Sequence, residues 1–299
     1  MSSKCWNWKK WSLSGAIVLA LFSGCKDSEY AHHNTEVPIA QFYGPQGQPN
    51  TATVRWQKVD TALIQSVCSH SSLRELNICV ATRDGSPIFP SVSKLPNLEA
   101  LTVIEVPLTD DELSSLSEAG KLTSLELSRT GITGAGLKHL AKLPLKRLVI
   151  RDKHLSLEGL QAIASLTELE ELELCVPSIH LADIPAMASK SNLKSVIISD
   201  GHFSYREFGG LKFLAGASRL TNLHLSGPNL NDRSLKAIGT LSGLQNLTIG
   251  KSVISEEGIE YLSTLEHLQS VDIPSLHSLQ DAIRLAESND EPLPQPRRS

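Results

Sequence analysis

Aliphatic residues recur along this chain in the order Leu-x-x-Leu-x-Leu. The pattern occurs at Leu73-Leu76-Ile78, Leu98-Leu101-Val103, Leu122-Leu125-Leu127, Leu145-Leu148-Ile150 and Leu169-Leu172-Leu174. It continues at Leu193-Val196-Ile198, Leu220-Leu223-Leu225, Leu244-Leu247-Ile249 and Leu268-Val271-Ile273. Successive starts are 25, 24, 23, 24, 24, 27, 24 and 24 residues apart. A weaker copy, Thr51-Val54-Trp56, begins 22 residues before the first and predicts an N-terminal cap. The last two positions of each triplet are separated by one residue, polar in most units, which is the period of a strand.

The rest of each unit repeats as well. Ten residues after the first Leu stands an apolar residue: Leu108, Ile132, Leu155, Ile179, Phe203, Leu230 or Ile254. Fifteen residues after it stands another, among them Leu113, Leu137, Leu160, Ile184, Phe208, Leu235, Ile259 and Ile283. Leu116, Leu140, Ile163, Met187, Leu211, Ile238 and Leu262 follow about a turn later, spaced as on one helix face. Helix entries carry capping signals. Thr109 stands three before Glu112, Ser278 three before Asp281, and Ser255 precedes Glu256-Glu257. Each unit therefore predicts one strand, a turn and a short helix. Alone it cannot cover its apolar side, whereas stacked copies share a continuous core and need covering only at the ends.

Phrases such as LTSLELSRTGITGAGLKHLAKL and LQNLTIGKSVISEEGIEYLSTL resemble leucine-rich repeats of the short, helix-bearing bacterial class. The resemblance covers about residues 51–286. It implies an α/β leucine-rich-repeat solenoid, a right-handed arc with parallel strands on the concave face and short helices on the convex face. The usual inward Asn or Cys after the strand is absent: Val106, Thr130, Lys153, Pro177, Gly201, Pro228 and Ser252 stand there. No F-box-like region precedes the repeats, so a ubiquitin-ligase role does not carry over. The unit beginning at Leu193 is three residues longer than its 24-residue neighbours and holds Phe203, Tyr205, Phe208 and Phe213, which predicts a longer convex segment.

The N-terminus has a different character. Lys4, Lys9 and Lys10 precede an apolar run from Trp11 to Phe22, too short to span a bilayer comfortably. The following Phe22-Ser23-Gly24-Cys25 resembles a bacterial lipobox. That resemblance implies cleavage before Cys25, a lipid on Cys25 and residence in the cell envelope. Lys26 after it favours the outer membrane by the sorting rule of diderm bacteria. An ordinary signal peptide or an uncleaved anchor is the alternative for residues 1–24. Residues 25–50 are polar with Pro and Gly breakers and read as a flexible tether. His32-His33 there lack further ligands for a metal. Residues 287–299 (ESNDEPLPQPRRS) read as a disordered tail.

The 299 residues are 40% hydrophobic, 20% charged and 5% aromatic, which suits a core of repeated aliphatic layers. The net charge of −4 supplies no electrostatic case for nucleic acid. Residues 1–24 hold three lysines and no acid, so their removal takes the net charge to −7. Charge then repels anionic membranes, and attachment rests on Cys25. Of the other cysteines, Cys5 lies in the leader, while Cys68, Cys79 and Cys175 read as free thiols with a Cys68–Cys79 pair left open.

No P-loop, GxSxG or HExxH is present. Gly131-Ile-Thr-Gly134-Ala-Gly136 reads as a turn rather than a dinucleotide loop. Asn246-Leu-Thr248 fits a glycosylation sequon but falls on a predicted strand. The better candidates are residues between the core positions of each strand, which point out of the concave face. Glu126, Arg147, Arg151, Glu171 and Glu173 should cluster at mid-arc, with Val149 and Ile197 as exposed aliphatics and His224 further along. That mixture suits a protein or peptide partner; the competing reading is a solvated sheet whose charges pair sideways. No cofactor, metal, catalytic residue or small-molecule substrate is indicated. The expected function is non-enzymatic binding; a self-associating envelope spacer is the first alternative and a glycan-acting enzyme the second.

Overall fold

In the computed structural model the described residues are 40–274, except 46–47, 56–57, 60, 80–81, 84, 86, 178–191, 200–210, 212–213 and 215–216. The leader, Cys25, the convex segment with Ile179, Ile184, Met187, Phe203, Tyr205, Phe208 and Phe213, the Ser278–Asp281 cap and the tail fall outside them.

One sheet of eleven strands runs through the unit, and its spatial order is its chain order. The strands are β1 (Ala40–Tyr43), β2 (Thr51–Arg55), β3 (Glu75–Cys79), β4 (Ala100–Ile104), β5 (Ser124–Ser128) and β6 (Arg147–Arg151). They continue as β7 (Glu171–Cys175), β8 (Ser195–Ser199), β9 (Asn222–Asn231), β10 (Asn246–Val253) and β11 (Ser270–Asp272). β1 pairs antiparallel with β2, and every later pairing is parallel. A parallel partner at each step requires a crossover, and the two-dozen-residue unit provides it. The pair Lys58–Val59 and Thr82–Arg83 forms a small separate ladder.

The connections return through short helices: α1 (Thr61–Cys68), α2 (Phe89–Val92), α3 (Leu157–Ser165), α4 (Asp232–Ile238) and α5 (Glu256–Ile259). Three others, Asp110–Glu118, Ala135–Leu140 and Glu260–Thr264, are 3-10 helices. The tighter form suits short segments, here of two to three turns, that must come back within a fixed repeat length. Thr109 and Glu112 form the expected capping box, the Thr109 N–H donating to Glu112 Oε2 at 2.8 Å. Ser255 accepts the Gly258 N–H at 3.2 Å, and Ser156, in the same repeat position, accepts the Gly159 N–H at 3.0 Å.

The core lies between the sheet and the helices. The second residue of each triplet forms one row in register: Leu76, Leu101, Leu125, Leu148, Leu172, Val196, Leu223, Leu247 and Val271. The third forms another, Ile78, Val103, Leu127, Ile150, Leu174, Ile198, Leu225 and Ile249, and all are buried. Leu98, Leu122, Leu145 and Leu169, the first residues of successive triplets, lie at 1%, 0%, 0% and 0% exposure in the same core. Helix-side residues Leu113, Leu137, Leu160, Leu235 and Ile259 close it from the other side. Each large aliphatic buried in this way contributes about 1.5–3 kcal/mol before the entropy of ordering it.

Two features depart from the sequence expectation. β1 lies within the stretch read as tether and covers the Thr51–Arg55 edge antiparallel, so an ordered strand starts at Ala40. The missing Asn ladder has a substitute for one repeat in Asp152, 8% exposed. Its Oδ2 accepts the Thr130 N–H at 2.8 Å, the Thr130 hydroxyl at 3.0 Å and the Gly131 N–H at 2.9 Å, satisfying the turn that leaves β5. Gly131 and Gly134 in that turn have φ of 82° and 84°, so the GITGAG run is a turn that uses left-handed backbone.

Candidate functional site

Strand pairing sets out three outward rows on the sheet face. The middle row runs Thr53, Asn77, Thr102, Glu126, Val149, Glu173, Ile197, His224, Thr248, Asp272, each in register with the next. The row at the strand entries runs Glu75, Ala100, Ser124, Arg147, Glu171, Ser195, Asn222, Asn246, Ser270. The row at the exits includes Cys79, Ile104, Ser128, Arg151, Cys175, Ser199, Ser226 and Gly250. Neighbouring strands lie about 4.8 Å apart, so adjacent members of a row are within side-chain reach.

Glu126, Arg147, Arg151, Glu171 and Glu173 meet in one ion-pair network. Arg151 reaches sideways in both directions. Its Nε and Nη2 contact Glu173 Oε1 at 2.9 and 2.8 Å, and its Nη1 donates to Glu126 Oε1. Arg147 lies 3.8 Å from Glu126 Oε2 and 3.5 Å from Glu171 Oε2. The Ser128 hydroxyl donates to Glu126 at 3.4 Å. Burial disfavours the Arg151 charge, but Glu173 and Glu126 outweigh it and hold its pKa above the usual guanidinium value. The side chains of Glu126, Glu173 and Arg151 keep 12%, 22% and 25% of their exposure, whereas that of Glu171 keeps 54%. Glu171 is therefore the carboxylate of this group most open to a partner.

Val149 is a correction. The alternation predicts it as an exposed aliphatic, but it is fully buried. It stands in register between Glu126 and Glu173. Arg151 binds both of those carboxylates, so the guanidinium bridge closes over the valine. Ile197, the other predicted aliphatic, stays partly exposed between Glu173 and His224. His224 is half-buried; burial lowers its pKa below the ordinary imidazole value, and Asp272 pulls weakly the other way. It is therefore neutral at pH 7. Beyond it the face is uncharged until Asp272. Asn246 Nδ2 donates to Asn222 Oδ1 at 2.7 Å, and Asn222 Nδ2 to the Thr221 hydroxyl at 2.9 Å, forming a short amide ladder.

A second group of polar contacts joins one repeat to the next on the helix side. Asp110 accepts the Thr133 N–H at 2.9 Å, the Thr133 hydroxyl at 2.8 Å and the Gly136 N–H at 3.0 Å. Asp232 accepts the Ser255 N–H at 2.9 Å and the Ser255 hydroxyl at 2.8 Å. Burial raises the pKa of Asp110, but the hydrogen bonds from Gly136, Thr133 and Gly134 prevail and hold it below the usual carboxylate range. Sequence reading missed these two residues. Their signal is an Asp at a helix entry followed 23 residues later by Thr or Ser and 26 later by Gly. The glycine is required because a Cβ at Gly136 would lie 2.0 Å from the Asp110 carbonyl oxygen, and one at Gly258 2.1 Å from Asp232 Oδ1. At the strand-entry rim Glu170 bridges Lys194 at 2.6 Å and Lys146 at 3.4 Å, again one repeat to either side.

Cys68, Cys79 and Cys175 carry no disulfide, so the open Cys68–Cys79 pairing is not made. Among the described residues, no group of three His, Cys, Asp or Glu is placed to hold a metal, and no helix is long and apolar enough to cross a membrane. An open depression lined by Lys94, Pro96, Glu118 and Lys121 lies off the sheet face. The chemistry this surface offers is hydrogen bonding and charge over an extended ribbon.

No family model matches the chain, and no curated protein matches it. An internalin of Listeria monocytogenes superposes with a TM-score of 0.52 at 20% identity, over 73% of this chain and 68% of that one. An internalin C2 of the same species gives 0.45 at 18% identity over 75% and 80% of the two chains. A leucine-rich-repeat protein of Leptospira interrogans gives 0.37 at 15% over 74% and 72%. Taken with the strand order and buried rows, the first likeness is one of fold: the chain has the architecture of a leucine-rich-repeat solenoid.

Proposed function

We propose that this chain is a non-enzymatic interaction scaffold whose sheet face engages a protein or peptide, held at the cell envelope by a lipid on Cys25. The observation that carries the binding half is the face itself. Ten strands from β2 to β11 pair in parallel, presenting outward rows made mostly of polar and charged side chains. A long, rigid, preorganised ribbon suits a polypeptide laid across successive repeats, at small ordering cost on the receptor side. The lipid half rests on the Phe22-Ser23-Gly24-Cys25 motif after the apolar run.

The self-paired network at mid-arc favours a second reading, a spacer that only packs or self-associates, because its charges are already matched from within. A glycan-acting enzyme loses its best acid pair, since Glu126 and Glu173 are both bound by Arg151. Proximity crosslinking with mass spectrometry on intact cells separates the first two readings. A scaffold returns a distinct protein linked through β5–β9, and charge reversal at Glu171 loses it. A spacer returns only copies of itself. For the anchor, an alkyne fatty acid fed to a diderm host should label the chain in the membrane fraction, and Cys25→Ser should abolish the label. Labelling that survives Cys25→Ser overturns the anchor assignment. Recovery in the outer-membrane fraction tests the expectation from Lys26.

A further inference from the structure

Among the outward residues whose side chains are described, the sheet face holds five acids, Glu75, Glu126, Glu171, Glu173 and Asp272, against two bases, Arg147 and Arg151. The bases are the less available of the two kinds. Arg151 is held between Glu126 and Glu173, and Arg147 between Glu126 and Glu171. A ligand therefore meets a face that is negative in sum, with its cations engaged and the Glu171 carboxylate 54% exposed. An anionic partner finds no disengaged cation there. Across β3–β11 the outward rows offer a glycan no Phe, Tyr or Trp ring to stack against.

The acids are also placed beside an apolar surface. On the middle row Glu173, Ile197 and His224 are consecutive, and on the entry row Glu171 pairs with Ser195 next to Ile197. Ile197 is the partly exposed aliphatic of this stretch, with a carboxylate one strand away on one side and a neutral imidazole one strand away on the other. Both Arg151 contacts with Glu173 go to Oε1, which leaves Oε2 to accept from a ligand. Such an arrangement matches a side chain with an apolar stem and a cationic head.

We propose that the sheet face over β7–β9 takes a lysine or arginine side chain of an extended basic polypeptide, with the stem over Ile197 and the cation at Glu171 and Glu173. The proposal rests on the binding reading above and specifies its partner by charge. It also gives His224 a role. The charged and titratable groups facing His224 are Asp272 from β11, two strands away, and Glu173 from β7, two strands away on the other side. Its immediate neighbours on β8 and β10, Ile197 and Thr248, do not titrate. On acidification the imidazole becomes charged beside the docked cation and repels it.

The test uses the full chain and three fluorescein-labelled probes, octapeptides of alternating Gly-Lys, Gly-Glu and Gly-Ser, followed by anisotropy. The Gly-Lys probe should bind, and more weakly as salt rises; the other two should not. Glu171→Gln and Ile197→Ser should each raise its Kd at least fivefold, while Glu158→Gln on the helix side leaves it unchanged. Lowering the pH below 6.5 should weaken binding as the imidazole becomes charged, and His224→Gln should remove most of that change. Equal binding of the Gly-Glu probe overturns the proposal, as do equal effects of Glu171→Gln and Glu158→Gln. Hydrogen exchange with peptides selected from an unbiased display library keeps the two levels apart. Uncharged selected peptides that protect β7–β9 refute the basic partner and leave the binding reading intact. Protection confined to the helix side refutes both.

Discussion

Arg151→Met isolates what the mid-arc network contributes. The substitution keeps a long apolar stem over Val149 but removes the guanidinium that Glu126 and Glu173 share. Two effects follow. The carboxylates lose their charge-assisted hydrogen bonds, each of which contributes about 1.5–3 kcal/mol when buried. Their strands are about 10 Å apart, but one guanidinium draws the nearest carboxylate oxygens to within about 7 Å, where like charges repel by about 2.4 kcal/mol at an effective dielectric of 20 and about 0.6 kcal/mol in water. All three side chains retain between 12% and 25% exposure, so solvent discounts the first effect by half or more. The expected loss is about 2–3 kcal/mol in urea-induced unfolding. Glu126→Gln in the Arg151→Met background should recover about 1 kcal/mol, because it relieves the repulsion and buries an amide instead of an unpaired carboxylate. A loss under about 0.5 kcal/mol would show that the pairs sit in solvent as ordinary surface bridges do. An equal loss with and without Glu126→Gln would refute the shared-guanidinium account.

Three further outcomes follow from the repeat-to-repeat contacts and the thiols. Asp110→Ala removes three hydrogen bonds from the next repeat and should cost about 1–2 kcal/mol by chemical denaturation. Because folding depresses the Asp110 pKa below its ordinary 3.8, this contribution is complete above that value and disappears as the pH falls through the folded-state pKa. Wild type and Asp110→Ala should therefore differ at pH 6, and the gap should narrow as the pH falls below 3.8; a constant gap would contradict the assignment. Gly136→Ala places a methyl 2.0 Å from the Asp110 carbonyl and should destabilise by about 1–3 kcal/mol or more, whereas Gly120→Ala, with nothing within 4 Å, should be close to neutral in the same melting experiment. Burial pushes the Cys68 thiol up to about 11, leaving about one thiolate in a thousand at pH 8. A disulfide reagent should modify Cys68 far more slowly in the native chain than in urea, and equal rates would place it at the surface.

The long-range order of this molecule was readable because the repeat converts a local alternation into a global register. Once Leu76, Leu101 and Leu125 are aligned in sequence, their strands are neighbours, and the outward rows follow from alternate residues. That is why five charged residues spread from position 126 to 173 were predicted to cluster and do meet. Alternation says which way a side chain points but not what lies above it. Val149 points outward as predicted and is buried because a side chain of its own strand bridges the two flanking strands over it. The Asp110 and Asp232 contacts escaped for a related reason: each carboxylate satisfies the backbone of the next unit, so neither unit read singly shows a role for it. β1 offers four residues and no repeat, and only the exposed pairing edge of β2 gives Ala40–Tyr43 a reason to be a strand.

The central claim is that successive units stack in parallel with a fixed register, and cysteine crosslinking of that register tests it most directly. With Cys5, Cys25, Cys68, Cys79 and Cys175 replaced by Ser, pairs are introduced at uncharged positions of the strand-entry row and oxidised. Ser195/Asn222 and Asn222/Asn246, which are register neighbours, should each form a disulfide within the monomer. Ser195/Asn246, separated by one strand at about 10 Å between Cα atoms, should not. Efficient closure of Ser195/Asn246, or failure of both neighbouring pairs, would contradict the stacked ribbon on which the binding face depends.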